Sequence, residues 1–157
     1  MNTQADMPRP TPPMLINQIS RMFDERMRER LPAGHPMTQN SCRFIMRMLR
    51  HGDGVTGQDI VKETNMKAST ISVALKNLEK EGLISRENDK NDMRIVRVFL
   101  TDKGREFDEK IRELLHSLDM VLMEGISPEE GEILTDLLFR VRENIKNKSE
   151  REKTGNI

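Results

Sequence analysis

The stretch ENDKNDMRIVRVFLT, residues 87–101, constrains this chain more than any other. Elsewhere the apolar residues recur at helical spacing. Here a polar and charged run opens into IVRVFL, rich in the β-branched and aromatic side chains that favour strand. Residues 83–86 have the same character, and the linker between the two runs suits an open hairpin with a long loop.

Two short helical patterns precede the hairpin. In TGQDIVKETN, Thr56 starts a helix of two to three turns, with Asp59 placed to reach back toward the cap. A turn at Asn65-Met66-Lys67-Ala68 leads to Ser69, the expected cap of STISVALKNLEKEGLI. Ile71, Leu75 and Leu78 mark that helix's buried face, and Gly82 sits where a helix end wants a left-handed residue. A helix-turn-helix followed by a two-stranded hairpin is the winged form of the motif.

The flanks are helical. Leu15, Ile19, Met22, Phe23 and Met27 recur from Met14 to Leu31, and Pro32, Gly34 and Pro36 end that helix. Thr38 is placed to cap the next, which carries Phe44, Ile45, Met48 and Leu49 and stops at His51-Gly52-Asp53-Gly54. Thr101-Asp102 caps a long helix with Phe107, Ile111, Leu114, Leu115, Leu118, Val121 and Leu122 on its apolar stripe, ended by Gly125. Ser127-Pro128-Glu129-Glu130 combines a cap, a proline at the first helical position and a capping-box glutamate. Ile133, Leu134, Leu137, Leu138, Val141 and Ile145 form the stripe of the last helix.

The expected fold is therefore mainly α with a small β-hairpin wing (α+β). A proline-rich disordered arm (1–13) and an N-terminal dimerisation helix (14–36) precede the winged helix-turn-helix (37–100). C-terminal dimerisation helices (101–147) and a flexible polar tail (148–157) follow it. Apolar stripes that flank a compact module are usually buried against another chain. A two-fold homodimer through Leu15, Ile19, Phe23, Leu118, Leu122, Leu134, Leu138 and Val141 is the expectation, against the alternative that these helices wrap their own domain.

Composition sets the partners. Twenty-six basic residues balance twenty-six acidic ones, so affinity for nucleic acid must come from local clustering. A lone cysteine excludes an intramolecular disulfide and fits a reducing cytoplasm. Neither a signal core nor a membrane-length apolar run is visible, so a soluble cytoplasmic protein without membrane partners is expected. Twelve methionines imply a soft, adaptable core, or simply a lineage bias. Catalysis finds no support. His35, His51 and His116 lack the i, i+4 companion of a helical metal site, and no phosphate loop or nucleophile elbow appears. Neither metal nor cofactor is expected.

The run LKNLEKEGLISRENDKNDMRIVRVFLTDKG resembles the signature of MarR-type bacterial transcription regulators. The resemblance is carried by Leu78-Glu79, Gly82-Leu83-Ile84, Arg86, the Asp92 to Arg94 Asp-x-Arg, Leu100-Thr101 and Gly104. The helix order agrees over roughly residues 14 to 147. This resemblance implies a winged helix-turn-helix homodimer that binds operator DNA and is often released by small molecules or oxidants.

The second helix of such a pair enters the major groove with its N-terminal residues toward base edges. Lys67, Ala68, Ser69, Thr70, Ser72, Val73, Lys76 and Asn77 are the candidates, with Ser69 and Thr70 either capping the helix or holding phosphate. Val73 suits a thymine methyl, and Asn77 an adenine or a phosphate. In the hairpin, Arg86, Lys90, Asn91, Arg94 and Arg97 would lie along the backbone or reach the minor groove. A charged hairpin tip is ordinarily a solvated turn; the preceding helix pair favours DNA. Asp92 is expected to fold the tip by bonding backbone or an arginine such as Arg86 or Arg94. Similar regulators often place arginine where Val73, Asn77, Asn91 and Met93 stand, which implies weaker non-specific binding with a flatter salt dependence. A dimer would set its two helices roughly 34–36 Å apart, on an imperfect inverted repeat.

The family's effectors, small aromatic or lipophilic molecules, suggest a pocket that Phe23, Phe44, Met48 and His51 would line, although such residues also serve simply as core. Cys42 stands in the first turn of its helix beside Arg43, where the dipole lowers a thiol pKa; a redox-sensing regulator is thus an alternative. The family's peroxide-sensing cysteine lies nearer the first helix. A winged helix used for protein contact is the other alternative.

Overall fold

The computed structural model describes the backbone of residues 9–153 and the side chains of residues 9–148. Helix α1 (Pro12–Arg30) is followed by a 3-10 turn (Pro36–Thr38), α2 (Asn40–His51), β1 (Val55–Thr56), α3 (Gly57–Thr64) and α4 (Ala68–Lys80). Strands β2 (Ile84–Asn88) and β3 (Val96–Leu100) and helices α5 (Asp102–Leu122) and α6 (Pro128–Lys153) complete the chain. It divides into two compact units, one ending at Asp108 and one beginning at Glu109.

Helix α1 starts at Pro12 because proline is at ease in a first helical turn, so the expected arm gives up its last two residues to the helix. Residues 1–8 of that arm lie outside the described residues. At the other end α6 continues to Lys153, into the segment expected as a tail, and 154–157 lie outside.

The first unit is assembled around the ends of α4. Its exit is closed by a left-handed Gly82 (φ +69°), with Gly82 N–H donating to the Glu79 carbonyl at 2.8 Å and Leu83 N–H to the Leu78 carbonyl at 3.0 Å. This double bond pattern, with Leu78 and Leu83 both buried, ends the helix abruptly and turns the chain into β2. The exit is then clamped from downstream. Thr101 Oγ1 donates to the Gly82 carbonyl (2.7 Å) and accepts from Gly104 N–H (2.9 Å), while Thr101 N–H reaches the Leu83 carbonyl at 3.2 Å. A Cβ on Gly104 would stand 2.0 Å from the Leu83 oxygen, so only glycine lets α5 begin there.

The sheet has three strands, in the order β1-β3-β2, all antiparallel. The sequence predicts two. Val55 and Thr56 precede α3 and pair with Val98 and Arg97, so the residue read as a helix cap is also the edge of the sheet. The β2–β3 register runs from Ile84↔Leu100 to Asn88↔Val96, leaving 89–95 as the loop.

The core takes Ile45, Met46 and Leu49 from α2, Ile60 from α3, Ile71, Ala74, Leu75 and Leu78 from α4, and Leu83, Ile84, Val98 and Leu100 from the hairpin. Met27, Met37 and Met46 are almost wholly buried, as a soft core requires. Asp108 on α5 is buried and takes a two-pronged bond from Arg50 of α2, both contacts at 2.6 Å. Thr38 does not cap α2. Its hydroxyl donates to the His35 carbonyl, and His35 Nδ1 caps the 3-10 turn by accepting from Met37 N–H. Burial lowers the His35 pKa, with Glu81 opposing and Lys103 reinforcing the shift, which suits the neutral ring that this acceptor role demands.

Cys42 occupies the first turn of α2 as expected, yet its accessible surface is nil and burial pushes its pKa up to about 11. Neighbouring Ser41 and Arg43 pull the other way and lose. Desolvation outweighs the helix dipole, so the reactive-thiol expectation fails.

Of the residues expected at a dimer contact, Leu15 and Ile19 on α1 and Leu122, Leu134, Leu138 and Val141 in the second unit are exposed. Leu118 is not available, at 8% exposure, because it is covered within its own chain. Phe23 is half-buried beneath the Arg43 guanidinium. Met22, Val121, Ile133 and Leu137 of the same stripes are exposed as well, as is Phe139, which the sequence left unassigned. Within the second unit the Ser127 capping box forms as read, with Ser127 N–H donating to Glu130 Oε2 (2.8 Å) and Glu130 N–H to Ser127 Oγ (3.2 Å).

Gly104→Ala should cost about 3 kcal/mol or more in urea unfolding, because backbone cannot retreat from a Cβ at this distance. Gly52→Ala, where the added Cβ meets nothing, should stay within about 0.5 kcal/mol of the parent. Equal stabilities for the two variants would refute the close approach. Because burial covers the Cys42 thiol and pushes its pKa up to about 11, the native chain should alkylate with iodoacetamide at pH 8 at least roughly 100-fold more slowly than the urea-unfolded chain. Equal rates would overturn its burial.

Candidate nucleic-acid interface

Helix α3 begins with the capping box read from the sequence: Asp59 N–H donates to Thr56 Oγ1 (3.2 Å) and Thr56 N–H to Asp59 Oδ2 (2.8 Å). It ends at Asn65, held left-handed (φ 54°), a conformation asparagine tolerates better than most residues. The chain then turns within two residues into α4.

The start of α4 departs from expectation. Lys67, not Ser69, occupies the cap position, no side chain caps the helix, and the first bond is from Ile71 N–H to the Lys67 carbonyl (3.1 Å). Ser69 and Thr70 therefore lie inside the first turn, and the leading N–H groups stay exposed beside their hydroxyls. An uncapped helix N-terminus carries partial positive charge and unsatisfied donors, the chemistry that holds phosphate. Ile71, Ala74, Leu75 and Leu78 face the core, so Lys67, Ser69, Thr70, Ser72, Val73 and Lys76 are turned to solvent, Val73 with 55% of its surface exposed. Asn77 is half-buried at the edge of that face.

The wing is folded by carboxylates. Asp89 Oδ1 accepts from Asn91 N–H (2.8 Å) and Asp92 N–H (3.1 Å), while its other oxygen pairs with Arg97 Nε. The Arg97 guanidinium, helped by those two amides, holds the Asp89 carboxyl below the usual carboxylate range. Arg97 also donates to the Gly54 carbonyl at 2.9 Å, tying the wing to the loop before β1. Asp92 Oδ1 accepts from Arg94 N–H (3.0 Å), so Asp92 folds the tip through backbone rather than through an arginine.

These bonds sort the expected wing cations. Arg97 pairs with Asp89 and donates to Gly54, and Arg86 pairs with Glu79 at the end of α4, while both guanidiniums stay partly exposed. Among the described residues Lys90 and Arg94 have no ion pair, and they flank an exposed tip with Asn91 and Met93. Nothing in the sequence named Asp89 as the organiser; its partner lies eight residues on, across the hairpin. Between α3, α4 and the wing lies a cleft of about 600 Å³. Val61, Ile71, Leu75 and Val96 supply apolar lining, and Lys62, Arg86 and Arg94 supply charge.

The expected effector residues fare unevenly. Phe44, Met48 and His51 share one face of α2, with Phe44 and His51 exposed. Phe23, on α1, lies 5.4 Å from the Arg43 guanidinium, which pairs with Asp24 and donates to the Met37 and Thr38 carbonyls. Among the described residues no acidic, histidine or cysteine cluster could hold a metal, and no helix is long and apolar enough to cross a membrane.

Comparison with known proteins gives the same answer as the geometry. The MarR family model matches residues 42–96. The transcriptional regulator YdgJ of Bacillus subtilis (strain 168) is 34% identical over 66% of this chain, and the match spans 63% of YdgJ, just under two thirds. YwhA, an HTH-type transcriptional regulator of the same organism, is 33% identical over 68% of this chain and 77% of its own length. Among solved structures, a SlyA-like transcription regulator of Listeria monocytogenes superposes with a TM-score of 0.74 at 27% identity, covering 98% of each chain. Bordetella bronchiseptica BpsR, whose DNA binding is regulated by 6-hydroxynicotinic acid, shares the fold at a TM-score of 0.73 and 20% identity, over 84% of this chain and 93% of its own. With its helix pair, wing and flanking helices in the same order, the chain belongs to the MarR family of helix-turn-helix transcriptional regulators.

Proposed function

We propose that the chain is a homodimeric repressor that binds an inverted-repeat operator in double-stranded DNA. One observation carries the reading. The uncapped N-terminus of α4 presents exposed donors beside a wing tip whose Asp89 and Asp92 carboxylates accept from the tip's own N–H groups and whose Lys90 and Arg94 are unpaired among the described residues. Lys67, Ser69 and Thr70 position the helix on phosphate, while Ser72, Val73, Lys76 and Asn77 meet base edges. Lys90 and Arg94 hold backbone, with Asn91 beside them. A protein that covers its operator excludes others by volume alone, which makes repression the direct consequence of binding.

The exposed apolar faces of α1 and α6 support the dimer. Release by a small molecule is part of the same proposal. The cleft between α4 and the wing has the apolar lining and cationic edge that suit a small aromatic acid, and BpsR is a fold relative whose DNA binding such an acid regulates.

Sedimentation should give twice the 18.2 kDa chain mass, and a monomer at micromolar concentration would overturn the dimer. A gel shift against genomic fragments at low and moderate salt should select an inverted repeat, and an aromatic carboxylate should release it. Arg94→Ala should weaken every duplex alike and lower the salt slope by about one. Val73→Ala should instead alter which sequence is preferred. An absence of any shift at low salt would overturn the operator reading in favour of a protein-binding winged helix.

A further inference from the structure

Met93 is the point of the wing left without a role. It exposes 69% of its surface, more than Val73, on a tip otherwise made of polar residues. A single exposed apolar side chain is common on a surface; Met93 differs in standing on a hairpin tip of charged and polar residues that is braced from both sides.

The backbone that carries it is fixed. Asp89 gathers the Asn91 and Asp92 amides on one side, and Asp92 takes the Arg94 amide on the other. Asp89 N–H donates to the Ile95 carbonyl (2.8 Å) and Ile95 N–H to the Asp92 carbonyl (2.9 Å), closing the loop across its base. Arg97 then anchors Asp89 to the sheet and the sheet to Gly54. Met93 thus projects from a braced turn, with an unpaired cation on each side of it in Lys90 and Arg94.

We propose that Met93 is an apolar wedge that enters the minor groove and partly unstacks a base step, bending the operator. The proposal rests on the operator-binding reading above and adds to it the residue that deforms the duplex. Lys90 and Arg94 outnumber the Asp92 carboxylate between them, so the tip is net positive and favours a polyanion over a second copy of this chain, whose own tip carries the same charge. An unbranched, polarisable side chain is slim enough to enter between bases, as apolar wedges do in minor-groove proteins that kink DNA. A flexible pyrimidine–purine step at the wing position would lower the cost of the kink, so the operator should carry TA or CA/TG there although no base edge is read.

The test uses the full-length chain and its selected operator, labelled at both ends for energy transfer and carrying 2-aminopurine at the wing step. Wild-type binding should shorten the end-to-end distance and brighten 2-aminopurine by unstacking it. Met93→Ala should lose both signals and about tenfold in affinity for duplexes with a flexible step, while binding to a stiff A-tract in that position changes less than about twofold. Met93→Leu should keep the signals. Met93→Arg should regain affinity with a salt slope steeper by about one, and without the 2-aminopurine signal. Bound operator that stays straight and stacked, or a Met93→Ala complex as bent and as bright as wild type, would overturn the wedge and leave the operator reading intact. Failure of the wild-type chain to bind any duplex would overturn the operator reading and the wedge together.

Discussion

The carbonyl of Leu83 is where this structure is held together. It receives Thr101 N–H, it lies against the bare Cα of Gly104, and it belongs to the residue that completes the exit of α4. Three elements meet at that point: the end of α4, the end of the last wing strand and the start of α5. Lys103 adds a bond from its ammonium to the Glu81 carbonyl at 2.6 Å, closing another of the orphan acceptors of α4. A helix end normally frays because its last carbonyls have no partners. Here the carbonyls of Asn77, Leu78 and Glu79 take the N–H groups of Glu81, Leu83 and Gly82, and Thr101 binds the next two carbonyls, which ties the exit of α4 to the end of the wing.

Charge is used in the same economical way. Asp53 accepts Leu100 N–H through one oxygen (2.8 Å) and pairs with Arg105 through the other (2.5 Å), while Arg50 satisfies buried Asp108. Removing the Arg50 guanidinium would leave the buried Asp108 carboxylate without its partner, at a cost of about 3 kcal/mol. Arg43, Arg86, Arg97 and Arg105 are likewise paired, which places much of the arginine of this electrically neutral chain in its own framework. On the operator-binding reading, the cations of α4 and the wing left without an ion pair among the described residues are lysines and Arg94, beside the dipole of α4.

Local chemistry was legible in the sequence wherever a bond closes within a few residues. The capping boxes at Thr56 and Ser127, the glycine exit of α4 and its buried face at Ile71, Leu75 and Leu78 all stand as read. The misreadings share one cause, a partner distant in sequence. Val55 becomes a strand only because Val98 arrives beside it. The pairing of Arg97 with Asp89 and Gly54 spans the hairpin, and the cover over Leu118 comes from elsewhere in its own chain. Cys42 sits where a dipole would activate it, but no local pattern reveals complete burial. The cap of α4 is a subtler case. Ser69 is a better capping residue than Lys67, and the turn after Asn65 is simply too short to place it there.

Rigidity at both contact points has a consequence for how sequence is read. A flexible wing can follow whatever groove it meets and contributes mainly charge. The wing here is braced by Asp89, Asp92 and Arg97, and its position relative to α4 is fixed at Leu83. On the operator-binding reading, a mismatch between this frame and straight DNA has to be taken up by the duplex, whose stiffness depends on its sequence. A recognition helix carrying valine and asparagine, beside a tip carrying methionine, offers little charge to compensate for a poor fit. Discrimination then comes from the energy of deforming the DNA and from thymine methyls, and the weak non-specific grip becomes an asset. A protein held loosely by every wrong site needs only a modest gain at the right one.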